Sequence, residues 1–152
     1  MHLVRLIYAS RASRQLVPAD IAQILQAAMR NNVSRSLTGM LCFRHDCFLQ
    51  VLEGGSIAVN ELYCRIAGDP RHHNLLLLQY TEITQRDFPD WTMGYVPLDE
   101  VSRKVFTRFF PSSKFDPMEM CGDGALAFLR MLRQADVARV SDYVEGMHLT
   151  LS

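Results

Sequence analysis

Two apolar runs, Thr38–Phe43 and Cys47–Glu53, are separated only by Arg44-His45-Asp46. So short a polar break between two extended apolar runs leaves room for a tight hairpin and little else. A lone hairpin is not stable in water, so other strands must flank it and other elements must cover its faces. Upstream, Leu3–Ser10 alternates as a strand, with Val4, Leu6, Tyr8 and Ser10 on one face and Leu3, Arg5, Ile7 and Ala9 on the other. Between the two lies a helix opened by Pro18 and Asp20, with Ile21, Ile24, Leu25 and Ala28 at helical spacing. Its expected end is near Asn31-Asn32, before the Ser34-Arg35-Ser36 turn.

Downstream, Gly54-Gly55-Ser56 turns the chain into a second helix with Ser56 as its expected N-cap. Its buried stripe is Val59, Leu62, Tyr63 and Ile66, and Gly68-Asp69-Pro70 stops it. Leu75–Ile83 reads as a strand, Gln85-Arg86-Asp87 as a turn, and Trp91–Val96 as a last strand. The order β-α-β-β-α-β-β predicts an α+β fold, a ferredoxin-like mixed sheet with two helices on one face. Beyond Pro97 the pattern changes to helical: Glu100–Phe110, a Pro111-Ser112-Ser113 linker, and a longer helix from Asp116-Pro117 to about Gln134. The expected division is therefore 1–97 as one domain and 98–152 as a helical extension. That extension should cover the sheet face the first two helices leave bare, which would otherwise offer water a large apolar patch.

Sixteen basic residues balance sixteen acidic ones among 152. Zero formal charge argues against a dedicated nucleic-acid or anionic-membrane binder and removes the self-repulsion that opposes self-association. Strictly apolar runs such as Leu75–Leu78 are far too short to span a bilayer, and Met1–Arg5 enters the first strand without a signal-like stretch. These features predict a cytoplasmic protein. Cys42, Cys47, Cys64 and Cys121 lack metal-ligand spacing and read as small core hydrophobes. His72-His73 is a poor metal pair, because adjacent residues near a strand start face opposite ways. There is no phosphate loop, dinucleotide fingerprint or nucleophile elbow.

The stronger signal is uncharged polar side chains on faces that should be apolar. Gln50 shares a face with Phe48 and Leu52, Tyr8 sits beside Leu6, and Asn31 and Asn32 extend the stripe of Ile24 and Ala28. Each would cost a few kcal/mol if buried without a partner. A phenol and three amides without fixed charge suit a flat, neutral, hydrogen-bonding heterocycle.

Six segments carry a resemblance: Arg5-Leu6-Ile7-Tyr8, Arg30-Asn31-Asn32, Leu37-Thr38-Gly39-Met40-Leu41, Phe48-Leu49-Gln50-Val51-Leu52-Glu53-Gly54, Asp69-Pro70-Arg71-His72-His73 and Trp91-Thr92-Met93. In order and spacing, residues 2–97 resemble the BLUF family of blue-light sensors, and the tail resembles its short single-domain, PixD-like members.

The resemblance implies a non-covalently bound flavin between the two helices, FAD in the cell, with FMN or riboflavin able to substitute. It places Asn31 and Asn32 at the pyrimidine edge, Ile24 and Ile66 on either side of the ring, and Phe48 beneath it. Arg65, Arg71 and His72 fall toward the polar edge or phosphate tail. It assigns Tyr8 and Gln50 a photoinduced proton-coupled electron transfer that leaves a reversible, red-shifted state, with Trp91 and Met93 as mobile residues on the last strand. Ala9 and Ala28 depart from the family, where serine is common. The resemblance further implies no enzyme activity, a separate downstream signalling protein and a homo-oligomer. A flavin-free interaction module and a flavin oxidoreductase remain the competing readings.

Overall fold

A computed structural model of the chain describes residues 2–90, 93–98, 103–112 and 114–134. In it, β1 (Leu3–Ala12) leads to α1 (Pro18–Arg35), the hairpin β2 (Thr38–Arg44) and β3 (Cys47–Gly55), α2 (Ser56–Ala67), β4 (His72–Glu82) and β5 (Gly94–Pro97). The strand order is β4-β1-β3-β2-β5. All pairings are antiparallel except β2 with β5, which makes the sheet mixed. α3 (Arg103–Phe109), a single 3-10 turn (Pro117–Glu119) and α4 (Gly122–Gln134) follow.

Strand alternation divides the interior into two cores. Val4, Leu6, Tyr8, Leu41, Phe48 and Leu52 face α1 and α2, where Ile21, Leu25 and Val59 meet them. Ile7, Ala9, Met40, Cys42, Leu49 and Val51 face the other way, under Phe106, Phe110, Phe115, Phe128, Leu129 and Leu132. The extension thus covers the second face, which would otherwise be left bare to water. Phe128 is its centre: the Phe110 ring stands perpendicular to it at a centroid distance of 5.3 Å, an edge-to-face contact favoured by the ring quadrupoles.

Local chemistry sets the ends of α1. Pro18 occupies the first turn, where its missing N–H costs nothing. The Asp20 carboxylate accepts the Val17 N–H at 2.9 Å and is itself held by Arg14. The helix runs past the Asn31-Asn32 end expected from sequence and stops at Arg35. Ser36 adopts a left-handed conformation (φ 55°) and Leu37 donates its N–H to the Asn32 carbonyl. That pairing closes the helix as a glycine would.

Other boundaries also move. Gly55, not Ser56, is the N-cap of α2, and Ser56 makes no capping bond because it already lies in the first turn. β4 starts at His72, earlier than expected, and β5 starts at Gly94, so Met93 precedes the last strand. The single helix expected from Asp116 is broken: Met120 is extended after the 3-10 turn, and Cys121 accepts the Ala125 N–H to start α4. Gly122 is needed there, since a Cβ would lie 2.6 Å from the Leu78 carbonyl oxygen. Cys42 and Cys47 are buried, but Cys64 and Cys121 are exposed and correct the reading of all four as core. Cys64 lies on the outward side of α2, and Cys121 at the start of α4. Among the described residues no helix is long and apolar enough to cross a membrane.

Candidate functional site

Where α1 and α2 part over the sheet, a cleft opens that is lined by Tyr8, Leu41 and Gln50 from the strands, Ile24, Ala28 and Asn31 from α1, and Leu62, Arg65 and Ile66 from α2. The space it encloses is ≈ 150 Å³, and it opens to solvent at its mouth. Ile24 and Ile66 come from opposite walls, so the opening is a slot rather than a bowl. Asp69, Arg71 and His72 complete its rim.

The floor is polar at one place. Tyr8 and Gln50 are direct cross-strand partners, and the Tyr8 hydroxyl donates to Gln50 Oε1. Gln50 Nε2 donates in turn to Met93 Sδ at 3.4 Å. The phenol is 1% exposed, and burial, with smaller contributions from Tyr63 and Asp69, raises its pKa well above the usual tyrosine value. Tyr8 therefore keeps its proton at any ordinary pH. Gln50, 5% exposed, is bracketed by a donor at its oxygen and a soft acceptor at its nitrogen, a thioether that binds weakly.

The rim carries charge that is already paired. Arg71 clasps Asp69 through two nitrogens at 3.0 and 2.6 Å, and that hydrogen bond lowers the Asp69 pKa. The His72 ring packs against Phe48 at a centroid distance of 4.6 Å, tilted by 49°, and pairs with Ser10 Oγ at 2.9 Å through Nδ1. Burial lowers its pKa, which favours the neutral ring. Its neighbour His73 faces the other side of the sheet, opposite Arg11, and no group of three metal-ligating side chains occurs among the described residues.

Of the residues singled out from sequence, Tyr8, Ile24, Asn31, Gln50, Arg65, Ile66, Arg71 and His72 all line this one cleft. Phe48 lies fully buried below it, against His72 and Phe43, and Asn32 is fully buried beside the helix end. Met93 reaches Gln50, while Trp91 lies outside the described residues. Sequence reasoning missed Ala27, Leu41, Leu62 and Asp69 as lining residues. Leu41 was recoverable, because the hairpin register sets it directly opposite Gln50. The two alanines part company: Ala28 lines the cleft, whereas Ala9 is buried in the opposite core, so a hydroxyl at position 9 would not reach the slot.

Residues 3–94 match the family model described as "BLUF: Sensors of blue-light using FAD". Subunit beta of the photoactivated adenylate cyclase of Euglena gracilis is 37% identical over 92 residues, which are 60% of this chain and 11% of that protein. The chain therefore spans about a tenth of the length of such curated relatives. Among solved structures, "BlrB - a BLUF protein, dark state structure" is 36% identical with a TM-score of 0.68, covering 86% of this chain and 93% of that one. "BlsA photo-activated state" superposes with a TM-score of 0.80 at 28% identity, over 90% of this chain and 99% of that one.

Proposed function

This chain belongs to the BLUF family, and from that premise we propose that its flavin lies in the slot between α1 and α2, with Tyr8 and Gln50 as the light-responsive relay. Flavin-based sensing of blue light is the function; the assignment of residues is our reading. The observation that carries it is the Tyr8–Gln50 hydrogen bond on the floor of a slot otherwise walled by Ile24, Leu62 and Ile66.

The residues present fit a flavin ring. Ile24 and Ile66 offer opposed apolar walls, Asn31 offers an amide from α1, with Asn32 next to it in sequence but buried, and Gln50 would meet the ring from the sheet. The Arg65 and Arg71 side chains at the mouth suit a phosphate-bearing tail, which favours FAD or FMN over riboflavin, and we propose FAD. Bound flavin would supply a strong one-electron oxidant when excited by blue light.

Everything else belongs to the protein. A buried phenol with a raised pKa can give up an electron easily only if its proton leaves with it, and Gln50 Oε1 is the acceptor already in place. Gln50 is held at Oε1 by the Tyr8 hydroxyl and at Nε2 by a thioether alone, so once the Tyr8 proton has left, little but Met93 opposes a turn of its amide. Such a rearrangement is worth about 1–3 kcal/mol in a buried site, enough to bias a nearly balanced second state. We propose that residues 1–97 form the sensor and 98–152 the output, in a cytoplasmic homo-oligomer without enzyme activity that hands its state to a separate signalling protein.

The test is the absorption spectrum of the purified chain before and after a blue flash, followed in darkness. Flavin bands that shift slightly red and return support the relay. A bound flavin that does not shift refutes it.

A further inference from the structure

We infer that Glu53 is a positioning residue for the Gln50 amide, acting through residues 86–88, which it anchors, on Met93, which follows them in the chain. This rests on the reading of Gln50 as the light-responsive group. Glu53 and Gln50 lie on the same strand but on opposite faces. Thr81, Arg5, Glu53 and Thr38 form one rung across four strands. Along this rung the chain must pass to get from β4, at one edge of the sheet, to β5 at the other.

The Glu53 carboxylate is fully buried, and all its partners concern that passage. It accepts from Arg5 Nε at 3.0 Å, from the Asp87 N–H at 3.1 Å and from the Phe88 N–H at 2.7 Å. A carboxylate buried in a core is costly, and an apolar side chain of similar size would fill the space more favourably. What the apolar side chain could not do is hold two successive backbone N–H groups of a segment that lacks a strand partner.

Residues 86–88 are fastened on both sides. Arg86 donates to Thr38 Oγ1, the Glu53 carbonyl and the Ser36 carbonyl at 2.8–3.0 Å. Asp87 takes Arg5 from the sheet and Arg130 from α4. Arg133 donates to the Asp87 carbonyl, and its guanidinium lies 5.7 Å from the Phe88 ring centroid. Phe88, 1% exposed, is thereby fixed in the core on the α4 side, and a few residues later Met93 arrives against Gln50 on the other face. One strand thus carries both the residue that anchors the segment and the residue that Met93 touches.

The experiment is a double-mutant cycle in the full, flavin-loaded chain: wild type, Glu53→Gln, Met93→Ala and both together, each read by its dark-recovery rate. Glu53→Gln keeps the shape and loses the charge. It is expected to retain flavin and the red shift but to change recovery by about twofold to thirtyfold. In the Met93→Ala background it should change nothing further. An equal fold-change in both backgrounds, or none in either, overturns the inference. Should Glu53→Gln fail to fold, Arg130→Gln loosens the same segment from its partly exposed side; its effect must likewise vanish with Met93→Ala. The Met93 methyl resonance in darkness separates this inference from the functional one. If it moves on Glu53→Gln while no variant responds to light, the positioning stands and the relay fails; if it does not move, the positioning fails.

Discussion

Tyr8 and Gln50 face each other across the β1–β3 ladder, and from those register positions the phenol donates to the amide oxygen. The contact needs no special loop. It follows from two alternating strands whose faces are both buried, so that a slip of one residue would send Gln50 to the α4 side and Val51 into the cleft. The Tyr8–Gln50 pair is therefore placed as firmly as the sheet itself, with the amide held at its oxygen by Tyr8 and at its nitrogen by Met93.

Gln50→Leu removes the amide and leaves an apolar side chain of similar size on the cleft floor. The variant should take up flavin, because the walls at Ile24 and Ile66 and the amides of α1 are untouched. Its red shift should be abolished in the light-minus-dark difference spectrum.

Tyr8→Phe deletes the donor and keeps the ring packed beside Tyr63, whose centroid is 5.6 Å away. In the flavin-free chain the Gln50 oxygen then loses its partner, at a cost of about 1–3 kcal/mol, measurable as a lowered urea midpoint. With flavin bound, the normal photocycle should be lost.

Alternation in Leu3–Ser10 and the short break at Arg44-His45-Asp46 made the sheet legible, because a strand buried on both faces tolerates only one pairing. The odd amides at Asn31 and Gln50 marked the cleft for a related reason, since polar groups are rarely placed on core faces without use, whereas Asn32 is buried beside the helix end and does not line it. What stayed hidden depends on long-range contacts. The extra turn of α1 needs Ser36 in a left-handed conformation, which Arg86, fifty residues away in sequence, helps hold through the Ser36 carbonyl. The break at Met120 answers to Gly122 packing on β4, and nothing local in the sequence pairs Glu53 with Arg5 and with the Asp87 and Phe88 N–H groups.

His72 predicts a pH dependence. Burial holds its folded pKa below the ordinary 6.5. Above that value both the folded and unfolded chains carry a neutral ring, and nothing is gained or lost. As pH falls through 6.5 toward the folded pKa, the unfolded chain takes up a proton the native ring resists, so stability declines. Urea midpoints of the flavin-free protein should fall between pH 7 and pH 5, and His72→Gln should flatten that slope.

Gly39 tests the hairpin. A Cβ there would overlap the Val51 carbonyl oxygen on the neighbouring strand, and backbone cannot yield as a side chain can. Gly39→Ala should lower stability by about 1–3 kcal/mol or more. It should also weaken flavin retention, since β2 carries Leu41 on the cleft floor.

Phe128 tests whether sensor and extension can come apart. Its ring is fully buried among Phe106, Phe109, Phe110 and Phe115, on the sheet face that Ile7, Met40 and Val51 share. Truncation to alanine should cost about 3–5 kcal/mol. Because that core is common to the sheet and α4, helix content and bound-flavin signal should be lost in one coincident transition at a lower denaturant concentration. Loss of helix signal well before flavin release would mean that α4 detaches from an intact sheet, and the output would then be a docking equilibrium rather than a deformation of one folded unit.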